Sequence, residues 1–209
     1  MYQPQQYKKD DPEFIFKFIQ NHPFATMVSQ SNNLMATHIP VLVEGRAQNF
    51  KLYAHIANHN EQLKTLKDGT EILLIFQGTQ GYVSSSWYTE KDISTWDYSA
   101  VHINARIKIQ TTKELESSLK KLVNTFENKQ NSPLFYDEIP QQMLLDHLPL
   151  ITGFWAEPFK IKGIAKLHQG YKKEDIKNFN LNIKFSDSGF TNQSPFSTSL
   201  FNWPADQPV

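Results

Sequence analysis

The chain has 209 residues, which is long enough to bury a substantial core without covalent cross-links. It contains no cysteine, so disulfide frameworks, thiol nucleophiles and metal sites built on sulfur are excluded. Basic and acidic residues balance at 21 each, and the only arginines are Arg46 and Arg106. Reading base edges in a DNA duplex relies on arginine and a basic surface, so this composition disfavours direct sequence-specific DNA binding.

The amino-terminal segment, MYQPQQYKKDD, lacks the apolar stretch of a signal peptide. The longest strongly apolar run, Ile72 to Phe76, is far shorter than the roughly 18 residues that a membrane-spanning helix needs. We therefore expect a cytoplasmic protein with no membrane contact.

The first predicted element is a helix that ends at Asn21. Asp11 can cap it, Pro12 suits its first position, and Phe14 and Phe18 recur on one face. Four β-type runs then follow, separated by turn residues, with a short helical turn expected between Asn60 and Leu66: FATMVS, LMATHIPVLVE, FKLYAHIA and EILLIFQ.

The clearest strand covers 101–109, where apolar and polar residues alternate. This register predicts that Val101, Ile103 and Ile107 point into the core and that Arg106 and Lys108 face solvent.

Helices and one further strand complete the predicted order. A capping box, Thr111 with Glu114, opens a helix that should end near Gln130. A second helix is expected from about Ile139 to His147, then a strand over ITGFWAEPFKIKGIAKL and a polar helix near 173–179. Strands in sequence without regular βα alternation favour a mainly β (α+β) fold, an antiparallel barrel with peripheral helices.

Two motifs suggest chemistry that their context does not support. His55 and His59 have the spacing of a helical zinc site, but the run that contains His55 is strand-like and the usual glutamate is missing, so we assign no metal site. The triplet of serines at 84–86 lies outside any G-x-S-x-G elbow, and hydroxyls in a tight turn are the simpler interpretation.

The segment 78–102, GTQGYVSSSWYTEKDISTWDYSAVH, is unusually dense in large rings and small polar residues. Trp87, Tyr88, Trp96 and Tyr98 alternate there with hydroxyl and carboxyl groups. This composition suits a flat heteroaromatic ligand that needs stacking and edge hydrogen bonds, and it suits equally an aromatic barrel rim.

Five separated motifs give the chain a resemblance to the PaiB-like family of FMN-binding negative transcriptional regulators: ATHIPVL at 36–42, HIANHNEQ at 55–62, FQGTQGYVSSSWY at 76–88, STWDYSAVH at 94–102 and KLHQ at 166–169. The resemblance implies a split β-barrel that binds FMN, usually as a homodimer with flavin sites at the subunit interface. The resemblance covers about residues 1 to 180, so we expect a split-barrel domain over 1–182. The remaining 183–209 is rich in polar residues yet keeps several large rings, so we expect a polar and aromatic tail that is either flexible or packed on another surface.

The chain departs from the family pattern at several positions. Ser94 and Ser85 stand where the family tends to have proline, and Asp97 stands where it has asparagine. The family's K-x-S-Q-N-R reads KLHQGY here, which removes an arginine that could bind a phosphate and leaves Lys166, Lys172 and Lys173 nearby.

Flavin chemistry together with the resemblance assigns provisional roles to eleven residues. A phosphate needs cations and hydroxyls, which we expect from Arg106, Lys166, Ser84 and Ser86. Walls of the ring slot and polar contacts at its rim come from the remaining candidates: Trp87, Trp96 and Tyr98 for the walls, and His38, His55, Asn58 and His102 for the rim. The alternative is that these residues pack a barrel edge and a dimer seam.

Three functional hypotheses follow. The first is a PaiB-type regulator that binds FMN and acts through a partner or metabolite. The second is a flavin-dependent oxidoreductase of the pyridoxamine-phosphate-oxidase-like type. The third is a split-barrel binding module that has lost flavin.

Overall fold

Seven strands and four helices make up residues 1–182, the part of the chain that the computed structural model describes. In chain order they are α1 (Pro12–Asn21), β1 (Phe24–Gln30), β2 (Leu34–Pro40), β3 (Leu42–Arg46), β4 (Asn49–Ala57), β5 (Glu71–Val83), β6 (Thr95–Ile109), α2 (Thr112–Glu127), α3 (Gln141–His147), β7 (Ile151–Lys166) and α4 (Lys173–Asn182). Short 3₁₀ turns include Glu61–Thr65 and Ser85–Trp87, and the first confirms the helical turn predicted near Asn60.

The strands form one sheet in the order β2-β1-β5-β6-β7-β4-β3. The pairs β1–β2, β1–β5, β3–β4 and β4–β7 are antiparallel. The predicted mainly β, antiparallel architecture is therefore confirmed. None of the helices in the described part of the chain combines the length and apolar character that crossing a bilayer requires.

The chain divides into two compact units, and β5, β6 and β7 each contribute residues to both. The first unit contains residues 1–9, 77–100 and the segment from Ile164 onward, and the second contains 10–76 and 101–163. The tail predicted over 183–209 lies outside the described residues.

The core of the second unit is built from one face of α1 and the inward side chains of the strands. Phe18 and Ile19 of α1 are buried in it, as predicted, together with Ile15, which was not predicted, while the predicted Phe14 is only partly buried against the core. On β6, Val101, Ile103 and Ile107 are all at most 2% exposed, which confirms the predicted register.

Both predicted helix caps are present in the second unit. Asp11 accepts a hydrogen bond from the backbone N–H of Phe14 at 2.9 Å, which begins α1. Thr111 and Glu114 form the reciprocal capping box of α2, and Glu114 also accepts a hydrogen bond from Trp155 Nε1 at 3.0 Å.

The run LMATHIPVLVE was predicted as one strand, and this was wrong. The chain leaves β2 at Pro40 and enters β3 at Leu42, because the N–H of Val41 donates to the carbonyl of Pro23 at 2.7 Å instead of joining a strand ladder. The flanking strands then pair with different partners, β2 with β1 and β3 with β4.

Other boundaries also differ from prediction. β5 continues six residues past the run EILLIFQ, to Val83, and β6 begins at Thr95. α2 ends at Glu127 rather than near Gln130, since the N–H groups of Lys129 and Gln130 bond three residues back, as in a turn.

Candidate functional site

The three serines that follow β5 form a tight turn in the first unit. Ser84 Oγ lies 2.9 Å from Ser86 Oγ and accepts a hydrogen bond from the Ser86 N–H at 3.2 Å. The Trp87 N–H donates to the Ser84 carbonyl at 3.1 Å, which closes the turn. The interpretation of these hydroxyls as turn residues is confirmed, and the turn holds two of them side by side.

Trp96 presents a half-exposed ring in the same unit. Its ring centroid lies 6.1 Å from that of Tyr82, and the two side chains are 50% and 49% exposed. Trp96 Nε1 donates to Gln80 Oε1 at 3.1 Å, which fixes the indole. Tyr82 and Gln80 are not among the predicted site residues, because the predicted strand ends at Gln77. The strand in fact continues to Val83, and the alternation of side chains along it would have identified both residues.

Lys166, at the end of β7, is held beside Trp96. Its ammonium donates to the Trp96 carbonyl at 3.0 Å and to Thr95 Oγ1. An ammonium has three N–H donors, so one has no acceptor among residues 1–182. Of the predicted residues, the structure therefore brings together Lys166 with Trp96 and Ser84 with Ser86.

Trp87 belongs to a different group of rings, which we call the Phe179 cluster. Phe179 of α4 is fully buried, and its neighbours are Trp87, Tyr88, His168 and Tyr171 at centroid distances of 6.5, 5.1, 5.4 and 5.3 Å. Trp87 therefore contacts Phe179, and Trp96 contacts Tyr82, whereas both tryptophans were predicted to form walls of the same flavin slot.

Two tyrosines of this unit are affected by burial. Burial raises the pKa of Tyr88, and its hydrogen bond with the Tyr171 hydroxyl, at 3.3 Å, raises the pKa further. Burial also raises the pKa of Tyr98, with a smaller contribution from Tyr2. Both phenols are therefore neutral hydrogen-bonding groups at pH 7.

A buried pair joins Asp97 to His168 in the first unit. Asp97 is 0% exposed and His168 is 7% exposed, and His168 Nδ1 is hydrogen-bonded to Asp97 Oδ2. Among residues 1–182 no group donates to the other oxygen, Asp97 Oδ1. Asp97 departs from the family pattern, and His168 lies in the KLHQGY segment, which also departs from it; the structure shows that the two residues are in contact.

The remaining predicted residues belong to the second unit. Three carry polar groups that already have partners. His38 Nδ1 is bonded to Thr26 Oγ1 at 3.0 Å, Asn58 Nδ2 donates to the Pro149 carbonyl at 2.7 Å, and Arg106 donates to Glu71 at 3.0 Å.

The charge of Arg106 is balanced by a neighbouring residue, whereas burial keeps two of the predicted histidines uncharged. The Arg106 guanidinium lies over the ring of Phe159 at 4.7 Å, and Glu71 balances its charge. Burial lowers the pKa of His55 on β4. Burial is also the larger of the two causes that lower the pKa of His102 on β6. Both rings are therefore neutral at pH 7 and can donate at one nitrogen and accept at the other.

The geometry around His55 does not resemble a metal site. His55 lies on β4, opposite Gly153, whereas His59 lies in the turn that follows the strand. Within the described residues no group of three or more potential ligands could hold a metal ion. Two depressions in the surface of the second unit, along α2 and at the β3–β4 turn, contain none of the eleven predicted residues.

Residues 1–157 match the family model described as "Putative FMN-binding domain". The chain is also 30% identical, over 179 residues, to "Protease synthase and sporulation protein PAI 2" of Bacillus subtilis, covering 85% of this chain and 86% of that protein. The chain belongs to this PaiB-like family of FMN-binding proteins.

Solved structures with much lower identity share the fold. The FAD and haem binding protein from Mycobacterium smegmatis is similar with a TM-score of 0.60 at 12% identity, covering 97% of this chain and 93% of that one. The flavocytochrome Anf3 from Azotobacter vinelandii gives 0.59 at 14% identity, with coverages of 97% and 88%. The expected split-barrel fold is thereby confirmed.

Proposed function

We propose that the first unit contributes the principal FMN-binding residues of this PaiB-like split-barrel protein. The ring would contact the half-exposed pair Tyr82 and Trp96, and the phosphate would contact Lys166, Ser84 and Ser86. The observation that carries the proposal is the lysine ammonium held on the Trp96 carbonyl, beside an exposed aromatic pair.

The residues present fit the chemistry of FMN. A phosphate binds cations and hydroxyl donors. Within the described part of the chain Lys166 has one N–H without an acceptor, and the two serine hydroxyls can rotate toward an anion. An isoalloxazine ring binds flat aromatic surface, which Trp96 supplies in an orientation fixed by Gln80.

The residues of the second unit support the proposal to different degrees. Arg106 is a weaker phosphate candidate than Lys166, because binding an anion would compete with Glu71. His55 and His102, which are neutral at pH 7, and His38 and Asn58, which already have hydrogen-bond partners, stay predictions as flavin contacts.

Bound FMN supplies a ring that accepts and returns electrons, while this chain's residues bind the phosphate and cover the ring. We further propose a regulatory role, which is the role that the resemblance to PaiB-type regulators implies, and we propose that the protein is a cytoplasmic homodimer. The balanced charge and the two arginines support action through a partner or metabolite rather than by direct duplex reading.

Calorimetric titration with FMN and with riboflavin, which lacks the phosphate, tests this assignment. We expect native protein to bind FMN more tightly than riboflavin, and Lys166→Ala to remove most of that difference. Arg106→Ala is the matched control, and its effect should be smaller. Equal FMN binding by native protein and by Lys166→Ala would show that Lys166 does not hold the phosphate.

A further inference from the structure

The loop 84–90 carries three predicted flavin residues but makes few contacts of its own. Its internal hydrogen bonds are confined to the serine turn. Ser85, Ser86, Thr89 and Glu90 are exposed. A loop with this little local support takes its conformation from whatever packs against it.

Helix α4 supplies that support through hydrogen bonds. Asp175, only 5% exposed, accepts with one oxygen from both the backbone N–H and the hydroxyl of Thr89, at 2.7 and 2.9 Å. Asn178 donates to the Trp87 carbonyl at 3.0 Å. Lys172, just before the helix, pairs with Glu90, although this exposed pair adds little.

Apolar packing strengthens the same attachment. Phe179 lies one turn after Asp175 on α4 and is the ring that Trp87 and Tyr88 contact from the loop. Burial of a whole phenylalanine side chain is a substantial hydrophobic contribution. Helix α4 is therefore attached to the loop 84–90 both by hydrogen bonds and by apolar packing.

The segment that leads into α4 is anchored too. His168 has a φ of 55°, a conformation that non-glycine residues rarely adopt, and Asp97 of β6 holds its ring. A costly backbone conformation persists only where its surroundings fix it. The start of the segment is thus tied to β6, and the helix that follows is tied to the loop.

We propose that α4 is a positioning element of the flavin site: Asp175 and Phe179 hold the loop 84–90 in the conformation that presents Ser84 and Ser86 to the phosphate. This inference rests on the proposed function. The helix lies beyond residues 1–157, which match the family model, so the match itself does not supply this device. Asp175 acts through Thr89 and is a positioning residue rather than a ligand contact.

The test compares FMN affinity, measured by quenching of flavin fluorescence, among native protein and variants of Asp175. Losing a charged acceptor shared by two donors should raise the Kd of Asp175→Ala about tenfold. Asp175→Asn keeps an acceptor oxygen and should recover part of this loss. Glu174→Ala removes the same charge from the adjacent, exposed position of α4 and should stay within about twofold of native protein.

A milder pair of variants keeps the test informative if Asp175→Ala does not fold. Thr89→Ser retains the hydroxyl donor and should bind FMN as native protein does, whereas Thr89→Val loses it and should bind more weakly. Amide exchange of 84–90 should increase in Thr89→Val and Asp175→Ala.

Two results separate the failures. If native protein binds no FMN, the proposed function is wrong and the inference goes with it. If native protein binds FMN and the folded Asp175 and Thr89 variants bind it equally well, the positioning role of α4 is wrong while the proposed function stands.

Discussion

Asp97 and His168 lie 71 positions apart in the chain and form a buried hydrogen-bonded pair. The carboxylate has no donor at its second oxygen among residues 1–182, so His168 is its main compensation. A buried polar group that loses its partner incurs its full desolvation cost. The two residues should therefore tolerate joint replacement better than either single replacement.

A double-mutant cycle in urea tests this coupling. We expect Asp97→Asn or His168→Ser alone to lower the free energy of unfolding by about 1–3 kcal/mol, since each change leaves a buried group poorly partnered. The double variant has the residues of the family pattern at both positions. Its loss in the free energy of unfolding should be smaller than the sum of the losses in the two single variants. Strict additivity would contradict a direct coupling.

Ile103 tests the register of β6. Its side chain is fully buried, so Ile103→Ala should lower the free energy of unfolding by about 2–5 kcal/mol. Lys108→Ala, at an exposed position of the same strand, is the control and should change it by less than about 0.5 kcal/mol. A loss at Ile103 as small as that of the control would show that the register is incorrect.

Glu114 should make the free energy of unfolding depend on pH in the acidic range. Hydrogen bonds from Thr111, and then from Trp155, lower the pKa of Glu114 to about 2, from an ordinary 4.5. The unfolded state binds more protons below about pH 4.5, so this contribution is complete above that pH and is lost as the pH falls toward 2. Glu114→Gln should be less stable at pH 7 and show a flatter acid limb, whereas Glu116→Gln should behave as native protein does.

The proposed homodimer predicts a light-scattering mass of twice the 24.2 kDa of one chain at micromolar concentration. Tyr82, Ile93 and Trp96 expose apolar surface in the first unit, and solvent-exposed apolar side chains of this size favour association. A mass of one chain, unchanged by concentration, would contradict the prediction.

Local sequence rules predicted the elements whose causes are local. The caps of α1 and α2 follow from Asp11 and from Thr111 with Glu114, and alternation placed Val101 and Ile103 in the core. The break at Val41 has one local signal, Pro40, which interrupts the run, whereas the hydrogen bond from Val41 to Pro23 depends on the fold.

The candidate site could be predicted only in part, for the same reason. Composition marked 78–102 as rich in rings, but the partners of Trp87 and Trp96 depend on where α4 and the end of β5 lie. The sequence marks Asp97 and the KLHQGY segment as unusual, yet only the fold shows that His168 of that segment contacts Asp97.

Flavin binding is the central claim, and a titration of the purified native protein with FMN tests it most directly. We expect saturable quenching of flavin fluorescence with one FMN per chain and a shifted flavin absorbance band. Trp96→Ala should weaken this binding, because the half-exposed indole is the principal stacking surface proposed. A native, folded protein that leaves the fluorescence and absorbance of FMN unchanged would contradict the claim and favour a split-barrel module that has lost flavin.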